Sequence, residues 1–538
     1  MAGSSSPSLL QSVRAYTRQG EPWVWVTAGA IGLVMLMLVG MLLVVLANGV
    51  GYFWPHKVHE LAMADGTRKL AVIVDEGSST EGVAQVFVRV GNRDLYGADF
   101  EWLAQADITA QTVPEDAVVL ERVEHGPFFG YLVARDHGGQ RSEIAWDQAL
   151  AMHSEVAEQQ RGVDDLLAEL SQRNEELYGL DTARRKAEYY GDSAEHLTDL
   201  AGRSETLRAD IEVLQSKYED QLRSLRSETL VVRDARGQEK VVALVDVLNM
   251  YQPNRMSLMA RVSHYVREFW HMLSENPRES NTEGGIFPAL FGTAVMVLLM
   301  SLFSMPLGVI TAIYLREYVR DGRTLRLIRI AVNNLAGVPS IVYGVFGLGF
   351  LIYTVGSALD AAFYPYMAPT PVFGTGGILW ASITLSLLTV PVVVVATEEA
   401  LAAIPKEIRE ASLALGATRF QTLWRVLLPM ATPGILTGFI LSMARAAGEV
   451  APLMLTGAVK LAPTLPLDGS FPLLHLDRKF MHLGFHIYDL AFQSPNVDAV
   501  KPLVYVTTLL LLLLVFLLSI AAMVLRNRMR RKYSTGAF

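Results

Sequence analysis

The stretch EEALAAIPKEIREASLALGATRFQTLWRVLLP, Glu398–Pro429, decides how the rest of the chain is read. It lies between two runs apolar enough to cross a bilayer, and its own spacing is that of two short helices with a break. Ile408, Ala411 and Leu415, then Phe420, Leu423, Val426 and Leu427, form apolar faces at helical intervals. Gly416 stands where the first helix should end, as a C-cap residue free to take positive φ. Pro429 is expected to stop the second helix before the next apolar run.

Working outward, six stretches reach the roughly 20 apolar residues that a helical crossing needs. They are Trp23–Ala47, Ile286–Leu315, Ile330–Val355, Gly377–Ala396, Ala431–Leu455 and Pro502–Leu525. The first is too long for a signal-peptide apolar core and has no clear small-x-small cleavage site, so it is read as a retained anchor. Of the 538 residues, 51% are hydrophobic and 19% charged, against about 25% charged in an average soluble chain. Without cysteine there is no disulfide and no thiolate chemistry. The net charge of −8 hides an asymmetry: His56–Glu283 carries 41 acidic and 25 basic residues, and the remainder is net positive. The bases cluster beside alternate spans. Arg14 and Arg18 precede the first. Arg316, Arg320, Arg323, Arg326 and Arg329 follow the second, and Lys406, Arg409, Arg419 and Arg425 follow the fourth. Arg526, Arg528, Arg530, Arg531 and Lys532 follow the sixth. By the positive-inside rule both termini and the 398–429 loop are cytoplasmic, and the segment after the first span is outside.

That outer segment has two textures. Leu70–Val74, Val83–Val90 and Ala117–Val123 read as strands, and Leu230–Asp234 with Glu239–Val245 as a hairpin. Between them, about 143–227 is charged and helical, with Leu166, Leu170, Leu177 and Leu180, then Leu207, Ile211, Leu214, Tyr218, Leu222 and Leu225, at three-to-four spacing. Tyr190-Gly191-Asp192-Ser193 is the expected turn between two antiparallel helices. A solvated spacer and a docking surface for another protein both fit. The expected fold is thus an α-helical multi-pass membrane protein with six transmembrane helices, plus an extracytoplasmic α+β domain carrying a helical hairpin. Its parts are an N-terminal tail (1–22), an anchor (23–47), the α+β domain (48–285), a five-helix unit (286–525) and a basic tail (526–538).

The loop resembles the EAA loop of ABC importer permeases: Glu-Ala-Ala, three residues, Gly, nine residues, Ile-x-Leu-Pro. Here Glu410-Ala411-Ser412 is followed after three residues by Gly416, and after nine more by Val426-Leu427-Leu428-Pro429. Ser412 for Ala and Val426 for Ile are the departures. The resemblance implies a five-helix permease core. It also implies a loop, through Glu410, Ala411, Ser412, Gly416, Leu428 and Pro429, that docks in a groove of a separate ATP-binding subunit. No Gly-x-x-x-x-Gly-Lys-Ser/Thr occurs in this sequence, so ATP would be bound and hydrolysed by that partner, and the chain itself would be a transport subunit without a cofactor or metal of its own.

Two further blocks narrow the resemblance. The fifth run contains Arg445 and Glu449, one helical turn apart in Ala444-Arg445-Ala446-Ala447-Gly448-Glu449-Val450-Ala451-Pro452-Leu453. A charge within a span costs about 2.5–3.5 kcal/mol on insertion scales, so such residues pair or face a pathway. A self-neutralising pair and a transient oxyanion contact through the Arg445 guanidinium both fit. The third run holds Asn333 and Ser340 around Ala336-Gly337-Val338-Pro339-Ser340-Ile341-Val342, where Gly and Pro either free backbone groups for a polar path or serve close helix packing; Pro306 and Pro391 stand similarly in the second and fourth runs. These blocks are similar to those of PstA-type permeases of phosphate importers, over about Ile286–Lys532. Phe471–His482 resembles a longer branch of that type with an enlarged periplasmic region. His475, His482 and His486 are read as surface or packing residues, not metal ligands.

The resemblance implies a phosphate pathway through Arg445, Glu449, Asn333 and Ser340 in a bacterial inner membrane. It further implies a second homologous permease subunit, two ATP-binding subunits and a periplasmic phosphate-binding protein; nothing points to nucleic acid. Phosphonate, sulfate or molybdate would suit the same residues. A membrane-anchored sensory receptor would need a sizeable cytoplasmic output domain, and an ATP-independent channel or secondary transporter would not need the loop.

Overall fold

The computed structural model describes residues 21–78, 82–320, 322–469, 472–494 and 497–534. Arg14 and Arg18 lie outside them. Among the described residues six helices are long and apolar enough to cross a membrane: Trp23–Val50, Phe287–Tyr318, Ser340–Phe363, Ile378–Ala402, Arg419–Ala447 and Val500–Arg531. The second, fourth and fifth pack together through small residues. A Cβ on Gly438 would lie 2.4 Å from that of Ala396, so the backbones approach as only small side chains permit. Their shared core includes Met296, Met300, Leu385, Leu388, Met443 and Ala446. The helices run unbroken through Pro306 and Pro391.

Three sequence expectations are corrected. The third span begins at Ser340, not Ile330. Gly337 and Pro339 break the chain there, because the residue before a proline is pushed out of helical geometry, and Arg323–Leu335 becomes a separate amphipathic helix. The fifth span ends at Ala447, and Ala451–Thr456 is a short helix beyond an elbow at Gly448–Val450. Pro429 does not stop the helix entering that span. A widened π-turn, Leu423–Leu427, directly precedes it, and the helix passes the residue whose ring and lost N–H would break a regular ladder.

Between the first and second spans lies the α+β domain. Strands β1 (His59–Met63), β2 (Arg68–Ser78), β3 (Ala84–Arg89), β4 (Phe100–Ala104) and β5 (Ile108–Thr112) form an antiparallel sheet in the order β4-β3-β2-β1-β5. A second sheet uses β6 (Val118–Arg122), β7 (Phe128–His137), β8 (Gln140–Glu143), β9 (Glu228–Arg233), β10 (Glu239–Ala243) and β11 (Val247–Tyr251), in the order β10-β9-β7-β6-β11 with β8 beside β7. The helical hairpin is inserted between β8 and β9 as Trp146–Tyr190 and Ala194–Arg226, with the expected turn. Gly191 takes φ +72°, and the Ser193 hydroxyl caps the second helix by accepting from the His196 N–H. Val156, Val163 and Leu170 recur every seventh residue and are buried, the spacing of a coiled-coil seam. The hairpin base packs on Leu120, Phe128, Leu230 and Val232 of the second sheet.

The long helix then leans over the spans. Tyr190 meets Tyr366, in the loop after the third span, at 6.4 Å between ring centroids. Glu175 pairs at 3.3 Å with Arg478, in the loop after the fifth. The segments after spans one, three and five therefore share one side, as alternate crossings require. An amphipathic helix the sequence reading passed over, Leu258–Ser274, leads from β11 toward the second span.

Candidate functional site

The 398–429 loop sits on the opposite side, three crossings from the α+β domain. Its first helix is Lys406–Ala414, and Gly416 has φ +85° as expected. The Gly416 N–H donates to the Leu413 carbonyl (3.0 Å) and the Ala417 N–H to that of Ser412 (3.2 Å), closing the helix end in a Schellman motif. Thr418 caps the next helix through a reciprocal pair with Gln421, and the Ser412 hydroxyl bonds that of Thr422 at 2.9 Å, tying the two helices together. Behind the loop, Arg409 pairs with Glu317 at the end of the second span (2.7 Å). Glu398 pairs with Arg329 of the amphipathic helix (3.3 Å). These two ties bridge distant positions, and nothing in the sequence marks them beyond charges at span ends.

The outward face of the loop is apolar and uncovered. Leu415 is 90% exposed. Ala411, Leu413, Phe420 and Trp424 are exposed beside it, the two rings stacked 6.1 Å apart, and Glu410 is exposed on the same helix. The expected apolar face therefore divides: Leu423 and Leu427 are buried against Leu401, Ala431 and Ile435, whereas Leu415 and Phe420 point away from the protein. Leu428 and Pro429 are half-buried in the following span.

Of the four residues expected to line a pathway, Arg445 and Glu449 come together. Arg445 stands in the last turn of the fifth span and Glu449 in the elbow, with Nε and Oε1 3.6 Å apart and both side chains partly accessible. Tyr343, nearby, donates its hydroxyl to the Leu335 carbonyl (2.9 Å) and so braces the break before the third span. Asn333 is exposed on the amphipathic helix, and Ser340 begins the third span; among the described residues no hydrogen bond joins either to the ion pair. The Gly-Pro region also serves close packing: a Cβ on Gly344 would meet the Cα of Pro452 at 2.7 Å. The histidines split. His475 pairs with Asp468 at 3.0 Å, whereas His482 and His486 are buried at the base of helix Leu483–Gln493, where burial pulls them down to about 3 and about 4.

Six candidate spans among the described residues, with an exposed, glycine-turned helix pair between the fourth and fifth, are the arrangement that the resemblance to importer permeases implies. A family profile for the binding-protein-dependent transport system inner membrane component matches residues 304–531. Among curated proteins, the chain is 31% identical over 285 residues to the phosphate transport system permease protein PstA 2 of Mycobacterium bovis, covering 52% of this chain and 84% of that one. It is 40% identical over 171 residues to PstA 1 of Mycobacterium tuberculosis (32% of this chain, 50% of that one). It is 36% identical over 203 residues to the probable ABC transporter permease protein YqgH of Bacillus subtilis (37% and 62%). The chain belongs to the binding-protein-dependent transport permease family. It spans 50–62% of the length of several of the curated relatives it matches.

Proposed function

We propose that this chain is one permease subunit of an ATP-driven importer that carries inorganic phosphate into the cytoplasm. The observation that carries the reading is the exposed helix Lys406–Ala414, with Leu415 bare at its tip and Gly416 turning the chain. A surface this apolar is unfavourable in water and asks for a groove. A separate ATP-binding subunit, two copies per complex, would supply that groove and the hydrolysis. Arg409–Glu317 and Arg329–Glu398 would pass its movement to the spans.

Phosphate is favoured over other oxyanions because relatives over the shared region carry phosphate transport in their names. Arg445 offers the guanidinium such an anion needs, in competition with Glu449. Asn333 and Ser340 would then act at other stages of the path. A second homologous permease would complete the path, and a phosphate-binding protein would deliver cargo to the side covered by the helical hairpin. That side is periplasmic and both termini cytoplasmic if the basic loops lie inside a bacterial inner membrane. The test is uptake of labelled phosphate in cells lacking and then regaining this chain, with unlabelled phosphate, sulfate, molybdate and phosphonate as competitors. Restored uptake blocked by phosphate alone supports the reading. Restoration of uptake of a different oxyanion overturns the substrate.

A further inference from the structure

Helix Leu258–Ser274 has two unlike faces. Leu258, Val262, Val266 and Trp270 form an exposed apolar stripe. On the other side His264 and Glu268, one turn apart, meet Glu121 of β6, the strand next to the edge of the second sheet. One ligand atom from each of Glu121, His264 and Glu268 lies within 4.8 Å of the others. His264 is only 6% exposed, and its ring nitrogens have no hydrogen-bond partner among the described residues. Neither glutamate forms an ion pair among them. Two carboxylates and an imidazole thus converge.

The surroundings hold these groups in place. The Tyr251 hydroxyl donates to Glu121 at 3.2 Å, and the Asn249 amide donates to Glu268 at 3.2 Å. Tyr251 also packs its ring against His264 in a tilted arrangement, centroids 4.5 Å apart. A register shift between Val247 and Asn249 sets Asn249 opposite Glu121, so the bulge aims this part of β11 at the cluster. Both carboxylates therefore have an outer residue that orients them, as ligands in built metal sites do.

We propose that Glu121, His264 and Glu268 bind one divalent transition-metal cation, with Zn²⁺ as the best-fitting probe and water as the fourth ligand. One imidazole and two carboxylates match the N/O donors zinc takes, and a purely oxygen-seeking cation would gain little from the histidine. Ligand atoms around tetrahedral zinc stand about 3.4 Å apart at bond lengths near 2.1 Å, so the cluster closes by small side-chain rotations. The cation would staple β6 to the helix that leads into the second span. That helix already touches the end of the first span through Phe53 and Phe269, ring centroids 5.8 Å apart. The staple would therefore fix the α+β domain relative to both spans.

The test uses the full chain purified in detergent, stripped with chelator and titrated with ZnCl₂. Metal content is read by mass spectrometry and stability by thermal unfolding. Wild type should retain one Zn²⁺ per chain and gain at least about 2 °C in its unfolding midpoint at saturation. Tyr251→Phe and Asn249→Ala, which keep all three ligands, should weaken zinc about 10–100-fold. Glu268→Gln should abolish stoichiometric binding; Glu121→Gln provides a second variant should that one misfold. Absence of stoichiometric zinc in wild type, undiminished zinc affinity in both Gln variants, or displacement by equimolar Ca²⁺ would overturn the proposal. A Gln variant that is more stable than wild type, in a wild type holding no zinc, would show two carboxyls sharing a proton and overturn it equally.

Discussion

Replacing Gly416 isolates the backbone term at the 398–429 loop. At φ +85° a Cβ would meet nothing within 4 Å, so no clash contributes and the whole effect is conformational. A left-handed position costs an L-residue about 1–2 kcal/mol relative to glycine, less for asparagine and more for a β-branched side chain. The Schellman bonds at Gly416 and Ala417 depend on that conformation. If the groove of an ATP-binding subunit accepts only the closed turn, the penalty appears as lost affinity. At 1.4 kcal/mol per factor of ten, Gly416→Ala should weaken assembly about 5–30-fold. The expected order is Gly, then Asn, then Ala, then Val. The assay is the dissociation constant of the ATP-binding subunit for detergent-purified protein, with insertion verified separately. Equal affinity across the series would refute the argument, because it would show that the left-handed turn is not what the partner reads.

Arg445→Gln should reduce phosphate uptake at least about tenfold without loss of subunit assembly, and Arg445→Lys should be intermediate, since an ammonium lacks the bidentate fork. Recovery of uptake in Arg445→Gln with Glu449→Gln would instead make the pair structural, a neutral couple being cheaper in the bilayer than one orphan charge. Ser193→Cys, at the hairpin turn, should react with an impermeant thiol reagent from the periplasmic side, because the chain has no native cysteine. Reaction only from the cytoplasmic side would invert the topology. Burial keeps His482 and His486 neutral, His486 despite a nearby Asp489. Because the unfolded chain takes up protons near pH 6.5 that the folded chain refuses, stability should fall from pH 6.5 toward 4, by about 1.4 kcal/mol per pH unit per histidine. Thermal unfolding from pH 7.5 to 5 reads this, and a slope unchanged in His486→Gln would contradict it.

What the sequence made legible follows the range of the forces involved. The Gly416 turn and the Gly191 turn depend on neighbours within a few residues, and each stands where local chemistry put it; of the hairpin faces read from spacing, Leu170, Leu207 and Leu225 are buried, but the seam also runs through Val156 and Val163, which that spacing passed over. Span boundaries were harder, because hydropathy does not register backbone geometry. Ile330–Leu335 is apolar enough to extend the third span, yet the Gly337–Pro339 break separates them. Pro429 taught the converse: a local helix stop was overridden by a widened turn that spacing does not encode. The Arg409–Glu317 tie and the meeting of Glu121 with His264 link residues far apart in the chain, and only the fold brings them together. His264 and Glu268 left one trace, their i, i+4 spacing opposite the apolar stripe of their helix.

The most direct test of the account joins the coupling loop to transport. Proteoliposomes containing this chain, its permease partner and the ATP-binding subunits, supplied with phosphate-loaded binding protein, should accumulate labelled phosphate only with ATP. Glu410→Lys, which reverses a charge on the exposed helix Lys406–Ala414, should abolish that uptake while the chain still inserts. Phosphate uptake that proceeds without ATP, or that Glu410→Lys and Gly416→Val both leave intact, would contradict the account.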